Sequence, residues 1–166
     1  MAAAAAPMLI RTWFMTAGSR VGFAWLGFSL SLAFHVADEA ATGFLDVYNP
    51  TIAVLRRELG FWPMPAFDFK TWLVGLVIGI VCMLIASPLA FRNESWFRPI
   101  FYFLVLVAGI LNGVGHVAAT IAGRTVGEVT FARPAPGFYS SPLLLVAAAY
   151  SLIQLWNTRV VEEGAM

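Results

Sequence analysis

The chain has 166 residues, of which 60% are hydrophobic and 11% charged, against about 25% charged in an average water-soluble domain. With a mean hydropathy of +0.81, this composition excludes an ordinary soluble fold and points to a chain dissolved in lipid. Ten Lys and Arg against nine Asp and Glu leave a net charge of +1 and no basic tract, which argues against nucleic acid as a partner; the length suits one domain.

Residues 1–20 read as an interfacial arm. The first ten are apolar but follow no basic stretch, so the arm is expected to be retained rather than cleaved as a signal peptide. Uncharged windows of about 20 residues, enough to cross ~30 Å of hydrocarbon, then place clear spans at residues 71–91, 100–123 and 138–157. Another, from residue 21 to about 42, carries His35, Asp38 and Glu39 in its second half. A central Asp costs about 2.5 to 3.5 kcal/mol on an insertion scale, so this helix needs partners inside a bundle. The fold class expected is all-α: an integral membrane four-helix bundle over residues 21–157, followed by a tail at 158–166.

The connections differ in kind. Residues 43–70 contain Asn49-Pro50, a short interfacial helix expected at 51–59, and the run Phe61-Trp62-Pro63-Met64-Pro65, suited to a headgroup-level loop. Residues 92–99 form a tight turn. Residues 124–137 end in Arg133-Pro134-Ala135-Pro136-Gly137, where prolines at alternate positions forbid a continuous helix. Trp13, Trp62, Trp72, Trp96 and Trp156 fall near span ends, as an aromatic belt requires. Basic residues tie at five on each side; Arg92 and Arg98, bracketing the shortest loop, favour both termini in the cytoplasm. The lone Cys82 lies within an apolar run and allows neither an intrachain disulfide nor a C-x-x-C site.

The chemistry concentrates in two places. His35, Asp38 and Glu39 follow i, i+3, i+4 spacing and share one helix face; Asn112 and His116 form an i, i+4 pair. In an antiparallel bundle the first and third spans run in the same direction. His35 lies 14 residues past Val21 and His116 lies 16 past Ile100, so at ~1.5 Å per residue both rings lie beyond the midplane on the same side. Gly109, Gly113 and Gly115 would let a neighbouring helix approach closely, and Gly137 is placed to line the polar site.

Two imidazoles with carboxylates are a ligand set for zinc, iron or manganese with an open position for water or substrate. On this reading His35, Asp38, Glu39 and His116 hold a divalent metal ion, Asp38 and Glu39 serve catalysis, and Asn112 positions a lipophilic substrate. Buried ionisable groups in a membrane are costly and mark function by default. The blander alternative, inter-helix hydrogen bonding worth about 0.6 to 2 kcal/mol, applies most readily to Asn112. Ser29, Ser31, Ser140 and Ser141 read as packing or backbone-bonding residues; Asp46, Asp68 and Glu128 read as solvated.

His35-Val36-Ala37-Asp38-Glu39 resembles the H-x-x-E-E signature of the HXXEE-motif family of small bacterial membrane proteins, with Asp38 in place of the first glutamate. Asn112-Gly113-Val114-Gly115-His116 is similar to that family's N-x-x-x-H element, and Pro134-Ala135-Pro136-Gly137 to its Y-x-P-G element, with Pro134 where tyrosine is usual. The resemblance implies a multi-span helical protein of the bacterial inner membrane and directs attention to His35, Glu39, Asn112 and His116; it supplies no reaction. The functions set against one another are therefore a metal-dependent membrane enzyme, a metal-free acid/base isomerase resembling sterol-isomerase-like proteins at His35-x-x-x-Glu39, a non-catalytic subunit or haem anchor, and a proton relay or transporter. Membrane lipid, a lipophilic small molecule and further copies of the chain are the partners this reading admits.

Overall fold

The computed structural model describes residues 16–163, with side chains through residue 158. The N-terminal arm thus lies almost wholly outside the described residues, as does Trp13. Helices α1 (Ala17–Ala41), α2 (Phe44–Leu59), α3 (Phe69–Ile85), α4 (Ser87–Phe91), α5 (Arg98–Leu104), α6 (Asn112–Ala122) and α7 (Ser141–Glu163) make up the fold, with a π-helical segment, Val105–Leu111, joining α5 to α6. Among the described residues there is no strand, only an isolated bridge between Arg124 and Thr130.

Among the described residues, three helical stretches are long and apolar enough to cross a membrane: Ala17–Ala41, Phe69–Phe91 and Arg98–Ala122. The first begins earlier than expected because Thr16 caps it, its hydroxyl accepting from the Ser19 N–H at 3.1 Å. The second breaks between α3 and α4 at Ala86, where Pro88 occupies the first turn of α4 and cannot donate back to α3. Helix α7 begins at Ser141 rather than 138, because residues 138–140 form a turn, and it continues to Glu163 rather than stopping at 157. It is long enough to span but is not among the three stretches apolar enough to qualify.

Helix α1 is central, packing on α3, α4 and α7. Its Trp25 is buried, donates from Nε1 to the Met83 carbonyl at 2.8 Å, and meets Phe97 and Phe101 edge-on at ring-centroid distances of 4.8 Å. Phe28, Leu144, Ala148 and Leu155 complete this core. Close approach depends on glycine: a methyl group on Gly109 would lie 2.8 Å from Ala148 Cβ and 2.9 Å from the Phe28 ring, and one on Gly113 would lie 2.8 Å from Leu145 Cγ. The expected close-packing surface is thus real at these two positions, where it receives α7, while Gly115 faces open space.

The first connection departs most from expectation. The helix expected at 51–59 is part of α2, which starts at Phe44 and has Pro50 inside it. Asn49 does not end the helix; its side chain clamps the following loop, donating to the Phe67 carbonyl at 2.8 Å and accepting from the Phe67 N–H at 3.0 Å. Trp96 and Trp156 are exposed, as a belt requires, but Trp72 is buried and stacks on Phe44, with centroids 5.7 Å apart.

Candidate metal centre

Helix periodicity places His35 and Glu39 one turn apart on α1, and α6 brings His116 against them from the other side. The two imidazole rings lie 4.8 Å apart, edge to face. Glu39 Oε1 is 3.0 Å from His116 Nε2 and 3.5 Å from His35 Nε2. All three residues are buried, and one ligand atom from each lies within 4.8 Å of the others. Ligands held ~2.1 Å from a tetrahedral zinc are about 3.4 Å apart, so both Glu39 pairs already stand near coordination spacing.

The remaining polar groups fix how these ligands face. Asp38 points away from the trio: its Oδ2 accepts from the Ser140 N–H at 2.9 Å and from the Ser140 hydroxyl at 2.7 Å. Asp38, expected as a ligand or base from its spacing, is not in the cluster formed by His35, Glu39 and His116; its carboxylate is engaged by Ser140 just before α7. A hydroxyl has one proton. With that proton given to the carboxylate, the Ser140 oxygen accepts from His35 Nδ1 at 2.8 Å. His35 Nε2 is fully buried, makes no hydrogen bond of good geometry, and faces Glu39 Oε1 at 3.5 Å. A ring nitrogen and a carboxylate oxygen facing each other in an apolar interior need a cation between them, a proton or a metal ion. The donor set thus fits a divalent ion.

Asn112, one turn before His116 on α6, places its Oδ1 3.1 Å from His116 Nε2. The π-helical segment ends directly before it, and such segments often mark functional sites because the extra residue re-aims the side chains that follow. Gly137 closes the site: at φ +78° it takes a conformation that favours glycine, and a methyl group there would lie 2.9 Å from both Glu39 Cγ and His116 Cε1. The proline-rich loop is stitched to both site helices. Thr42, hydrogen-bonded to the Asp38 carbonyl at the end of α1, accepts from the Gly137 N–H at 3.0 Å; Thr120, bonded to the His116 carbonyl, accepts from the Ala135 N–H at 2.9 Å.

Two cavities flank the trio. One, of about 230 Å³, is largely apolar and is lined by Phe44, Val47, Tyr48 and Leu111, with Asn112 and His116 in its wall. The other, of about 280 Å³, is lined by Glu39, Asp46, Asn49, Phe44 and Trp72. Sequence reasoning missed Ser140 and Phe44. Ser140 carried no motif, and Phe44 belonged to a segment read as loop; only the packing of α2 places its ring 5.8 Å from that of His116. Asp46, read as solvated, is exposed but helps to line the second cavity.

Comparison with protein-family models, with curated proteins and with solved structures finds no match to this chain.

Proposed function

We propose that this chain is a multi-pass protein of the cell inner membrane, a four-span bundle in which α7 completes the three apolar stretches. In this bundle His35, Glu39 and His116 hold a divalent metal ion, zinc, iron or manganese, that serves an enzymatic reaction on a lipophilic substrate. The observation that carries this reading is the buried, partnerless Nε2 of His35 facing Glu39 Oε1 at 3.5 Å while its Nδ1 is engaged by Ser140. A set of two His and one Glu leaves a coordination position open, as catalytic rather than structural sites do, and the ion would supply Lewis-acid chemistry there. Asn112, in the wall of the apolar cavity, orients the polar end of a substrate whose hydrocarbon lies against Phe44, Val47 and Leu111. Membership of the HXXEE-motif family belongs to the same proposal and rests on the order of the three motifs.

A haem anchor is disfavoured, because rings 4.8 Å apart, both directed at one carboxylate, leave no plane between them for a macrocycle. The direct His116–Glu39 contact at 3.0 Å favours a second reading, a metal-free proton-transfer pair. Elemental analysis of protein purified without added metal separates the two. Stoichiometric metal that is lost in His35→Ala and His116→Ala supports the first reading; no metal in the folded wild-type protein supports the second.

A further inference from the structure

The trio lies between two chambers of opposite character, and they meet it at different atoms. His116 and Asn112 face the apolar chamber, whereas Glu39 faces the one that also contains the Asp46 carboxylate and the Asn49 amide. Phe44 lines both. Its ring packs against Trp72, with centroids 5.7 Å apart, and against His116, at 5.8 Å, so one side chain is shared by the walls of both chambers. The outer wall of the polar chamber is held by the paired hydrogen bonds of Asn49 to Phe67.

We infer that the polar chamber is the aqueous port of the site, admitting water and hydrated divalent cations to Glu39, while Phe44 keeps this path separate from the apolar chamber that takes the lipophilic substrate. The inference deepens the proposed function and rests on it for what enters. The chemistry of the walls supports the division. Carboxylates at Asp46 and Glu39 favour a cation and its water over an anion or a hydrocarbon. A buried site that must exchange a hydrated ion needs an entry path, and the apolar chamber offers such an ion few polar groups in exchange for its hydration shell. The exposed position of Asp46 places a negative charge at the mouth, and Glu39 closes the inner end.

Thiol accessibility tests this without using a metal, so the port and the metal site can fail separately. In protein with Cys82 replaced by alanine, reconstituted in lipid nanodiscs with a chelator present, single cysteines are introduced as Ala40→Cys on the polar chamber and Ala119→Cys on the apolar one. Leu45→Cys provides a second sensor on the polar wall. The probes are a permanently charged methanethiosulfonate and the membrane-permeant N-ethylmaleimide. The charged reagent is expected to modify Ala40→Cys or Leu45→Cys about tenfold or more faster than Ala119→Cys, since an apolar environment disfavours the reactive thiolate, and Phe44→Ala is expected to abolish that contrast. Equal labelling of the two chambers by the charged reagent, or failure of both polar-wall sensors to react with it, overturns the inference.

Discussion

At the scale of single residues, the site is governed by which atom of each side chain is already engaged. The Ser140 hydroxyl lies 2.7 Å from Asp38 Oδ2 and 2.8 Å from His35 Nδ1, which holds the ring with its other nitrogen toward the trio. Groups that orient a metal-bound histidine are worth about 10- to 100-fold in affinity. Ser140→Ala is therefore expected to weaken zinc binding by about that factor while leaving the stoichiometry intact at saturation, measured by competition with a chelator of known affinity; unchanged affinity would remove the orienting role. Gly137→Ala attacks the same place from the loop. The added methyl meets Glu39 and His116 at 2.9 Å, at a backbone φ of +78°, so a loss of about 1 to 3 kcal/mol of stability is expected from overpacking, together with weakened metal binding, read from thermal unfolding and the same competition assay.

At the scale of elements, small residues and caps decide where helices begin, end and touch. Gly109→Ala should cost about 1 to 3 kcal/mol, because its methyl would press on Ala148 and Phe28. Gly27→Ala, with nothing within 4 Å, should be neutral or stabilising by up to about 1 kcal/mol; paired thermal melts in detergent compare them. Asp68 caps α3, its carboxylate accepting from the Thr71 N–H at 3.0 Å, and hydrogen bonding from Thr71 holds its carboxyl below the usual value. A depressed folded-state value means that the cap contributes above the unfolded-state value and is lost as pH falls through the folded-state one. Asp68→Ala should therefore lower the melting temperature at neutral pH, with the gap to wild type closing in acid. A gap independent of pH would show that the cap acts through something other than its charge. Length and lack of charge made Phe69–Phe91 and Arg98–Ala122 legible; Ala17–Ala41, read as compromised by its acids, qualifies as well, whereas residues 138–157, read as a clear span, do not. Of α2 only the second half, 51–59, was legible, because Asn49-Pro50 reads as a break although Pro50 lies inside the helix, and the burial of Trp72 depends on a partner, Phe44, far away in sequence. The π-helical segment left no trace in an unbroken apolar run.

At the scale of the whole molecule, the decisive feature is that α1 and α6, separated by four other α-helices and the π-helical segment, deliver His35, Glu39 and His116 to one buried point. The spacing of His35 and Glu39 on α1, the i, i+4 pair Asn112 and His116, and the equal depth of the two histidines were all readable from the sequence. The turning of Asp38 toward Ser140 was not, because it depends on where the proline-rich loop sets down the start of α7. Binding of an ion to the folded state alone stabilises it by mass action, about 2.7 kcal/mol at a hundredfold excess over the dissociation constant. Removing the metal with a chelator should accordingly lower the melting temperature of the wild-type protein but not that of His116→Ala. The most direct measurement is X-ray absorption at the zinc edge on zinc-loaded protein. Scattering from two imidazoles with nitrogen at about 2.0 to 2.1 Å is expected, falling to one imidazole in either His35→Ala or His116→Ala. Zinc without imidazole scattering, or a wild-type spectrum unchanged by both substitutions, would contradict a metal site built on His35 and His116.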